Sequence, residues 1–122
     1  MSVHISKSTT KEQQDMNYEL VKLVADGNGR LKKGSNEVTK AAERGTAKLV
    51  IMAENVNPGE LLAHIPLICE EKKIPFTYVE DQAYLAEAAG MNAGAKTAAI
   101  ALMEIAKGAE DSFNAVKSHS ED

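Results

Sequence analysis

The chain has 122 residues, of which 43% are hydrophobic, and a formal net charge of −4; this length fits one compact domain with its own core and is too short for two. The N-terminus lacks the apolar region of an export signal, and no apolar run approaches the roughly 18 residues of a membrane span, so we expect no membrane association. The single cysteine, Cys69, excludes an internal disulfide and a multi-cysteine zinc site, and it favours a reducing, intracellular setting.

The N-terminal part of the chain predicts a helix. Residues 1–8 are polar, and we expect them to be flexible. The run Thr9-Thr10-Lys11-Glu12 is typical of a capping box. One helical face after it is apolar and is expected to pack: Met16, Leu20, Leu23 and Val24. The helix should end near Gly27-Asn28-Gly29.

The middle of the chain predicts alternating strands and helices. A short strand at 31–33 precedes a helix that begins at Gly34 or Ser35 and stops at Gly45, and a continuous apolar run predicts a buried strand at 47–53. The next helix should start at Asn57-Pro58-Gly59-Glu60. Its packing face is expected to consist of Leu61, Leu62, Ile65, Ile68 and Cys69. Pro66 lies inside this helix and should bend its axis.

The C-terminal part continues the alternation. A strand is predicted at 76–79, a short helix from the capping residue Asp81 to Gly90, a strand at 97–103 and a helix at about 108–116. Residues 118–122 are expected to form a flexible tail. The alternation predicts an α/β fold, a three-layer α/β/α sandwich with a mixed four-stranded sheet, as a single domain at 9–117.

One stretch, Arg30 to Lys48, is strongly positive within this acidic chain. It contains six basic and two acidic side chains, whereas the rest of the chain contains 8 basic and 16 acidic ones. Such a concentrated positive patch attracts phosphate even when the whole molecule is acidic. The stretch therefore indicates a surface that faces an anion.

The helix at the centre of this stretch has two different faces. Helical rotation of about 100° per residue places an apolar arc against the protein, namely Val38, Ala41, Ala42 and Gly45. The opposite arc is Asn36, Glu37, Lys40 and Arg44. A helix N-terminus suits phosphate, and Gly34 lets a backbone approach closely. Lys40 can donate to guanine N7 and O6, and Asn36 can donate and accept. Glu37 can accept from a guanine N–H, which indicates that a base edge is recognised.

These residues also have an ordinary structural interpretation. Glu37 and Lys40 form a common surface pair on a helix, and Gly-Ser-Asn-Glu is a common helix start. The spacing of Gly29 and Gly34 does not make a phosphate loop, because Ser35-Asn36 replaces the required Lys-Ser or Lys-Thr. From the residue types alone, a solvated helix and a nucleic-acid surface both stay open.

Catalytic constellations are sparse in this sequence. His64 and Cys69 lie on one predicted helix but point about 140° apart, so they cannot easily share a metal or act as base and nucleophile. Cys69 is interpreted as a core residue and His64 as a helix-surface or packing residue. The run Glu70-Glu71-Lys72-Lys73 is interpreted as a solvated helix end. We therefore expect neither an enzyme nor a bound metal or cofactor.

Longer motifs carry a resemblance that covers residues 16 to 103. The runs are Lys32-Lys33-Gly34-Ser35-Asn36-Glu37-Val38-Thr39-Lys40, Glu43-Arg44-Gly45, Ala47-Lys48-Leu49-Val50-Ile51-Met52-Ala53-Glu54, His64-Ile65-Pro66-Leu67 and Cys69-Glu70-Glu71-Lys72-Lys73-Ile74-Pro75-Phe76. In order and spacing they closely resemble archaeal ribosomal proteins of the L7Ae type, whose eukaryotic relatives are spliceosomal and nucleolar kink-turn-binding proteins. The resemblance implies an α/β/α sandwich that binds kink-turn and kink-loop RNA.

The resemblance also implies site residues. In the family, the helix start meets the tandem sheared G·A pairs, which carries over to Gly34, Asn36, Glu37 and Lys40, and Lys33 matches a basic residue near phosphate. The second implied contact is the loop after Ala88-Ala89-Gly90, formed by Met91, Asn92 and Ala93, which packs on the extruded nucleotide. Without the resemblance, this loop is only a helix-to-strand connection.

Two departures from the family pattern are expected to change binding. Archaeal members usually have isoleucine or leucine, glutamate and valine where this chain has Met91, Asn92 and Ala93. Asn92 removes a negative charge, whereas Ala93 gives up apolar contact worth about 1 kcal/mol at most. Gln82 stands where the family often has a lysine, next to Glu80 and Asp81, so we expect weaker or more salt-sensitive binding.

The resemblance implies several RNA partners: ribosomal RNA of the large subunit, box C/D and H/ACA guide RNA, and ribonuclease P RNA. In the guide particles it implies a Nop-type scaffold protein that brings fibrillarin. We expect a monomer in the cytoplasm, or in the nucleolus if the source is eukaryotic. The alternative is a protein-interaction module on the same fold with weakened or lost RNA binding, which the acidic balance and Gln82 would suit.

Overall fold

Helices and strands alternate along the whole described chain. The structure is a computed structural model that describes residues 11–27, 29–53, 64–92 and 94–120. The elements are α1 (Lys11–Asp26), β1 (Arg30–Lys33), α2 (Ser35–Glu43), β2 (Leu49–Ala53), α3 (His64–Lys72), β3 (Phe76–Val79), α4 (Gln82–Ala88), β4 (Ala99–Glu104) and α5 (Glu110–Ser120). In the part of the chain that the structure describes, no helix is long and apolar enough to cross a membrane.

The four strands form one mixed sheet in the order β1-β4-β2-β3. The β1 and β2 strands both run antiparallel to β4, and β3 runs parallel to β2. Within the described residues β1 pairs with β4 alone, so it forms one edge of the sheet. The predicted mixed four-stranded sheet is confirmed.

Side chains from the sheet build two hydrophobic layers. Alternate residues of β2 enter different layers: Leu49 and Ile51 pack with α1, α4 and α5, whereas Val50 and Met52 pack with α2 and α3. All five residues of β2 are buried, which explains why its sequence is continuously apolar rather than alternating. The helices therefore cover both faces of the sheet, as the predicted α/β/α sandwich requires.

The buried stripe of α1 is displaced from the predicted one. It consists of Asn17, Leu20, Val21 and Val24, whereas Leu23 is 38% exposed because helical rotation places it about 110° from the centre of this stripe. The Nδ2 atom of Asn17 donates to Thr77 Oγ1 (3.3 Å) and to the carbonyl oxygen of Tyr78 (2.9 Å). These two bonds compensate the burial of a polar side chain and fix α1 on β3.

Several element bounds differ from the predictions or lie outside the described residues. The β2 strand begins at Leu49 rather than 47, and the predicted flexible segment 1–8 and the capping residues Thr9 and Thr10 lie outside the described residues. The predicted start of α3 at 57–63 lies outside them, and within them Ile65 and Cys69 are buried while Ile68 is half-buried. The β4 strand begins at Ala99 rather than 97, since the Thr97 hydroxyl donates locally to the carbonyl oxygen of Ala99 (2.9 Å). The α5 helix continues past 116 to Ser120, into the predicted flexible tail.

Candidate nucleic-acid interface

The turn from β1 into α2 is built on an unusual glycine conformation. Gly34 precedes the first residue of α2 with φ 95° and ψ 147°, a backbone region that side chains with a Cβ rarely adopt. Its N–H donates both to Thr97 Oγ1 (3.1 Å) and to the carbonyl oxygen of Ala99 (3.0 Å). A Cβ at Gly34 would meet nothing within 4 Å. The space outside this turn is therefore open to a ligand.

The two faces of α2 agree with the predicted arcs except at one position. Val38, Ala41 and Ala42 are buried. The side chains of Asn36, Glu37, Lys40 and Arg44 are exposed. Gly45 was expected to pack with the apolar arc, but it is exposed with φ 70°, because it lies beyond the last helical residue, where the helical rotation no longer applies.

Glu37 and Lys40 are neighbours on the exposed face. The Nζ atom of Lys40 lies 3.9 Å from Oε1 of Glu37, and the two side chains are 60% and 51% exposed. An ion pair that is so exposed contributes little free energy, about 0.5 kcal/mol or less for residues on adjacent helical turns. Both groups can therefore exchange this partner for a ligand at small cost.

Basic side chains continue from α2 onto the edge strand β1. Arg30, Lys32 and Lys33 are exposed there, while Leu31 packs against the core. The guanidinium of Arg30 lies 3.8 Å from Oε1 of Glu104 on the neighbouring strand. Among the described residues, Lys32 and Lys33 make no ion pair with a carboxylate. The sheet edge and the start of α2 thus form a continuous positive surface.

The second predicted contact begins at the end of α4. Two backbone hydrogen bonds close the end of α4. Gly90 N–H donates to the carbonyl oxygen of Glu87, and Met91 N–H donates to the carbonyl oxygen of Ala86, both across 3.0 Å. Met91 is half-buried against the core, and Asn92 is exposed, with its carbonyl oxygen accepting from Ala95 N–H (3.0 Å). Ala93 lies outside the described residues. Met91 is therefore anchored, while the side chain of Asn92 is accessible.

Thr97 links the start of α2 to the start of α4, a role that the sequence analysis missed. Its hydroxyl accepts from Gly34 N–H, and its own N–H donates to the carbonyl oxygen of Gln82 (3.3 Å). Thr97 is 3% exposed, and its position just before an apolar strand is the only sequence signal of a buried threonine. It connects the start of α2 with the start of α4.

The start of α4 is acidic. Asp81 caps this helix, with Oδ1 accepting from Ala83 N–H (2.9 Å), as the sequence predicted. Gln82 is the first helical residue and is half-buried, and Glu80 before it is exposed. Gln82 adds no positive charge where the family often has a lysine, so this end of the interface is the less favourable one for phosphate.

His64 and Cys69 occupy the structural positions predicted for them. His64 is exposed at the start of the described part of α3, with Nε2 lying 3.0 Å from Thr39 Oγ1 on α2. Cys69 is fully buried. In the residues that the structure describes, no group of three or more His, Cys, Asp or Glu side chains is arranged to hold a metal ion.

The mixed sheet between two helical layers defines an α/β/α sandwich protein, with a basic surface at the start of one helix. The fold is similar to a solved structure titled Giardia lamblia 15.5kD RNA binding protein, at a TM-score of 0.88 and 25% sequence identity, over 99% of this chain and 98% of that one. Residues 15–115 match the Ribosomal protein L7Ae/L30e/S12e/Gadd45 family, and the chain belongs to this family. The resemblance found in the sequence is confirmed.

Proposed function

We propose that this protein binds RNA and recognises kink-turn or kink-loop RNA through its α2 surface, formed by Lys33, Gly34, Asn36, Glu37, Lys40 and Arg44. One observation carries the proposal: an exposed carboxylate, Glu37, lies among exposed basic side chains beside an open glycine turn. A surface that only attracted phosphate would gain nothing from this carboxylate. Family membership and the RNA-binding relative support the same function.

Three side chains of the α2 surface have donors and acceptors that suit a sheared G·A pair. Glu37 accepts from guanine imino and amino groups, Lys40 donates to guanine N7 or O6, and Asn36 both donates and accepts. The first N–H groups of α2 and the side chains of Lys33 and Arg44 face the backbone phosphates. At Gly34, the absence of a Cβ leaves room for the RNA backbone to approach.

The proposed mechanism is a shift of population rather than a reaction. A kink-turn alternates between extended and sharply bent forms, and a protein that contacts the G·A pairs of the bent form stabilises that form by its difference in affinity. Met91, Asn92 and Ala93 would contact the extruded nucleotide. Gln82 lacks the charge of a lysine, which should lower the salt slope by about one unit and weaken binding.

The protein would bind RNA in several ribonucleoprotein particles. The proposed RNA partners are ribosomal RNA of the large subunit, box C/D and H/ACA guide RNA, and ribonuclease P RNA. In guide particles, the bent RNA and the protein together would offer a surface to a Nop-type scaffold protein with fibrillarin. The protein would act as a monomer in the cytoplasm, or in the nucleolus of a eukaryote.

A second candidate is a protein-interaction module that has lost RNA binding. The acidic balance of the chain and Gln82 favour this alternative. Asn36, Glu37 and Lys40 argue against it, because all three are present and exposed on one face of α2.

The test is a titration against a box C/D kink-turn labelled at both ends, with RNA folding followed by energy transfer at two salt concentrations. An RNA that lacks the G·A pairs is the control. Tight folding that depends on the G·A pairs and weakens steeply with salt is expected. No folding, or equal binding to the control RNA, would overturn the kink-turn proposal and favour the interaction module.

A further inference from the structure

Two tyrosines stack on the side of the molecule formed by α1 and α4. The ring centroids of Tyr18 and Tyr84 are 4.5 Å apart, and the ring planes meet at 29°. Tyr18 is half-buried between the helices, whereas Tyr84 is 56% exposed. Tyr84 is one of the large apolar side chains most exposed among the described residues, and the proposed RNA contacts do not use it.

Hydrogen bonds hold this pair in place. The Tyr18 hydroxyl accepts from the backbone N–H of Asp81 (3.1 Å), and Gln14 Oε1 accepts from the backbone N–H of Glu80 (2.8 Å). Burial raises the pKa of the Tyr18 hydroxyl, and the nearby carboxylates of Asp81 and Glu80 raise it further, so the group stays neutral. The helix α1 thus fixes the Tyr18 ring and the turn before α4, the helix that carries Tyr84, before any partner arrives.

Grooves flank the tyrosine pair on both sides, and Tyr84 lines each of them. A groove of about 410 Å³ runs toward Glu19, Lys22 and Glu87, and another of about 600 Å³ runs toward Lys11 and Glu80. Both grooves are also lined by the exposed carboxylate of Asp15.

The charge around the pair is negative. Four exposed carboxylates line the grooves, and none of them makes an ion pair within the described residues: Asp15, Glu19, Glu80 and Glu87. Lys11 and Lys22 are the two ammonium groups that share the lining. The four carboxylates would repel the phosphates of RNA, so a nucleic acid does not suit this surface.

The geometry points to a docking surface for an arginine-bearing, basic segment of a protein partner. We call it the tyrosine face and define it as Tyr18, Tyr84, Asp15, Glu19, Glu80 and Glu87. A guanidinium stacks flat on an exposed aromatic ring and at the same time donates to carboxylates beside it. Lysine has no planar group to stack in this way, so arginine is the preferred cation.

The tyrosine face and the α2 surface lie on opposite layers of the sandwich. The helices α1 and α4 pack on one side of the sheet, and α2 packs on the other. The two surfaces also have opposite charge. The α2 surface therefore stays accessible to RNA when a basic segment is docked, whereas Tyr84 and Glu87 also line a groove with Met91 and Asn92 of the second proposed RNA contact. The docking surface does not depend on the RNA-binding proposal.

The probe is a fluorescein-labelled twelve-residue peptide with arginine at every third position among glycine and serine, measured by anisotropy with the full chain. A peptide with lysine in place of arginine is the matched ligand control. Tyr84→Ala should weaken arginine-peptide binding about five-fold, and Glu87→Gln about three-fold, while Tyr84→Phe retains affinity. Leu67→Ala is the matched control variant, because Leu67 is 67% exposed on α3, in the opposite layer, and it should change nothing.

Four outcomes would overturn the proposal: no binding of the arginine peptide, equal affinity for the lysine peptide, no effect of Tyr84→Ala, or an equal effect of Leu67→Ala. The folding of each variant is checked by its thermal midpoint, and Glu87→Gln tests the same face without removing a ring. A further arm titrates the kink-turn RNA against Tyr84→Ala. If this variant weakens RNA binding more than peptide binding, the tyrosine face belongs to the RNA interface and the proposal is wrong.

Discussion

The backbone N–H of Gly34 donates to the hydroxyl of Thr97 across 3.1 Å, although the two residues are 63 positions apart in the chain. This bond joins the first turn of α2 to the segment that leads into β4. Because Thr97 N–H also donates to the carbonyl oxygen of Gln82 (3.3 Å), one buried threonine joins the first turn of α2 to the start of α4.

Thr97→Val should therefore affect both stability and RNA binding. Valine has the same shape but no hydroxyl oxygen that could accept from Gly34 N–H. This N–H then keeps only its hydrogen bond to the carbonyl oxygen of Ala99. We expect the free energy of unfolding to fall by about 1 kcal/mol, measured by urea denaturation, and kink-turn affinity to fall by a few-fold. Thr97→Ser keeps the hydroxyl and should restore RNA affinity. Unchanged affinity in the valine variant would mean that Thr97 does not position the interface.

Glu37→Ala tests the recognition of a base edge. The substitution should lower kink-turn affinity by about 1 to 3 kcal/mol and leave weak binding to plain duplex RNA almost unchanged, because pairing with cytosine in a plain duplex occupies the guanine imino N–H that the carboxylate would accept from. Glu43→Ala is the matched control, since Glu43 is also exposed on α2 and its loss changes net charge equally. Equal effects of the two substitutions, or equal losses on both RNAs, would contradict the role of Glu37.

Lys40→Ala should weaken binding to both RNAs, with the larger loss on the kinked one. The ammonium group contributes attraction to phosphate in either case and a donor to guanine only in the kink. A salt titration should show a slope smaller by about one unit. If the loss is the same on kinked and plain duplex RNA, Lys40 acts only through its charge.

Gly34→Ala should destabilise the protein through its backbone rather than through a clash. The open surroundings of Gly34 exclude a steric cause, whereas its φ of 95° with ψ of 147° costs about 1 to 3 kcal/mol for a residue with a Cβ. Gly45→Asn is the comparison, because a φ of 70° at a helix end suits asparagine. Urea denaturation should show a clear loss for the first variant and a small one for the second.

Lys73→Gly should stabilise the protein. Lys73 follows the last residue of α3 with φ 59°, the left-handed conformation that a side chain disfavours, while Ile74 N–H donates to the carbonyl oxygen of Cys69 (2.8 Å). Glycine removes the strain and should raise the free energy of unfolding by about 0.5 to 1 kcal/mol. Lys72→Gly, one residue earlier and still helical, should lower it by about 1 kcal/mol. A loss in both variants would mean that Lys73 carries no strain.

Elements that depend on neighbouring residues were predictable from the sequence. The bounds of β3 and the capping role of Asp81 agree with the structure, because a strand after a proline and an aspartate before a helix are local signals. The end of α5 was not predictable, since the polar residues after Val116 resemble a tail. There the Ser120 hydroxyl donates to the carbonyl oxygen of Lys117 (2.7 Å) inside the helix.

The proposed site likewise contains features that the sequence predicts and features that it does not. The exposure of Asn36, Glu37 and Lys40 follows from helical periodicity and was predicted. The bond between Gly34 and Thr97 and the stacking of Tyr18 on Tyr84 were not predicted, because each joins residues more than sixty positions apart. No local pattern records such a pair. The roles of the site residues toward RNA stay predictions.

The order of strands in the sheet also has a consequence for synthesis on the ribosome. In the part of the chain that the structure describes, β4 is the one partner of β1, with Leu31 opposite Leu102, and the turn after β1 is held by Thr97 and Ala99. In a nascent chain that has released α2 but not β4, the β1 strand has no strand to pair with. The turn after β1 also lacks its acceptors, Thr97 and Ala99. The α2 surface therefore matures late in translation, after β4 has left the exit tunnel, and a growing chain should not capture RNA before that point.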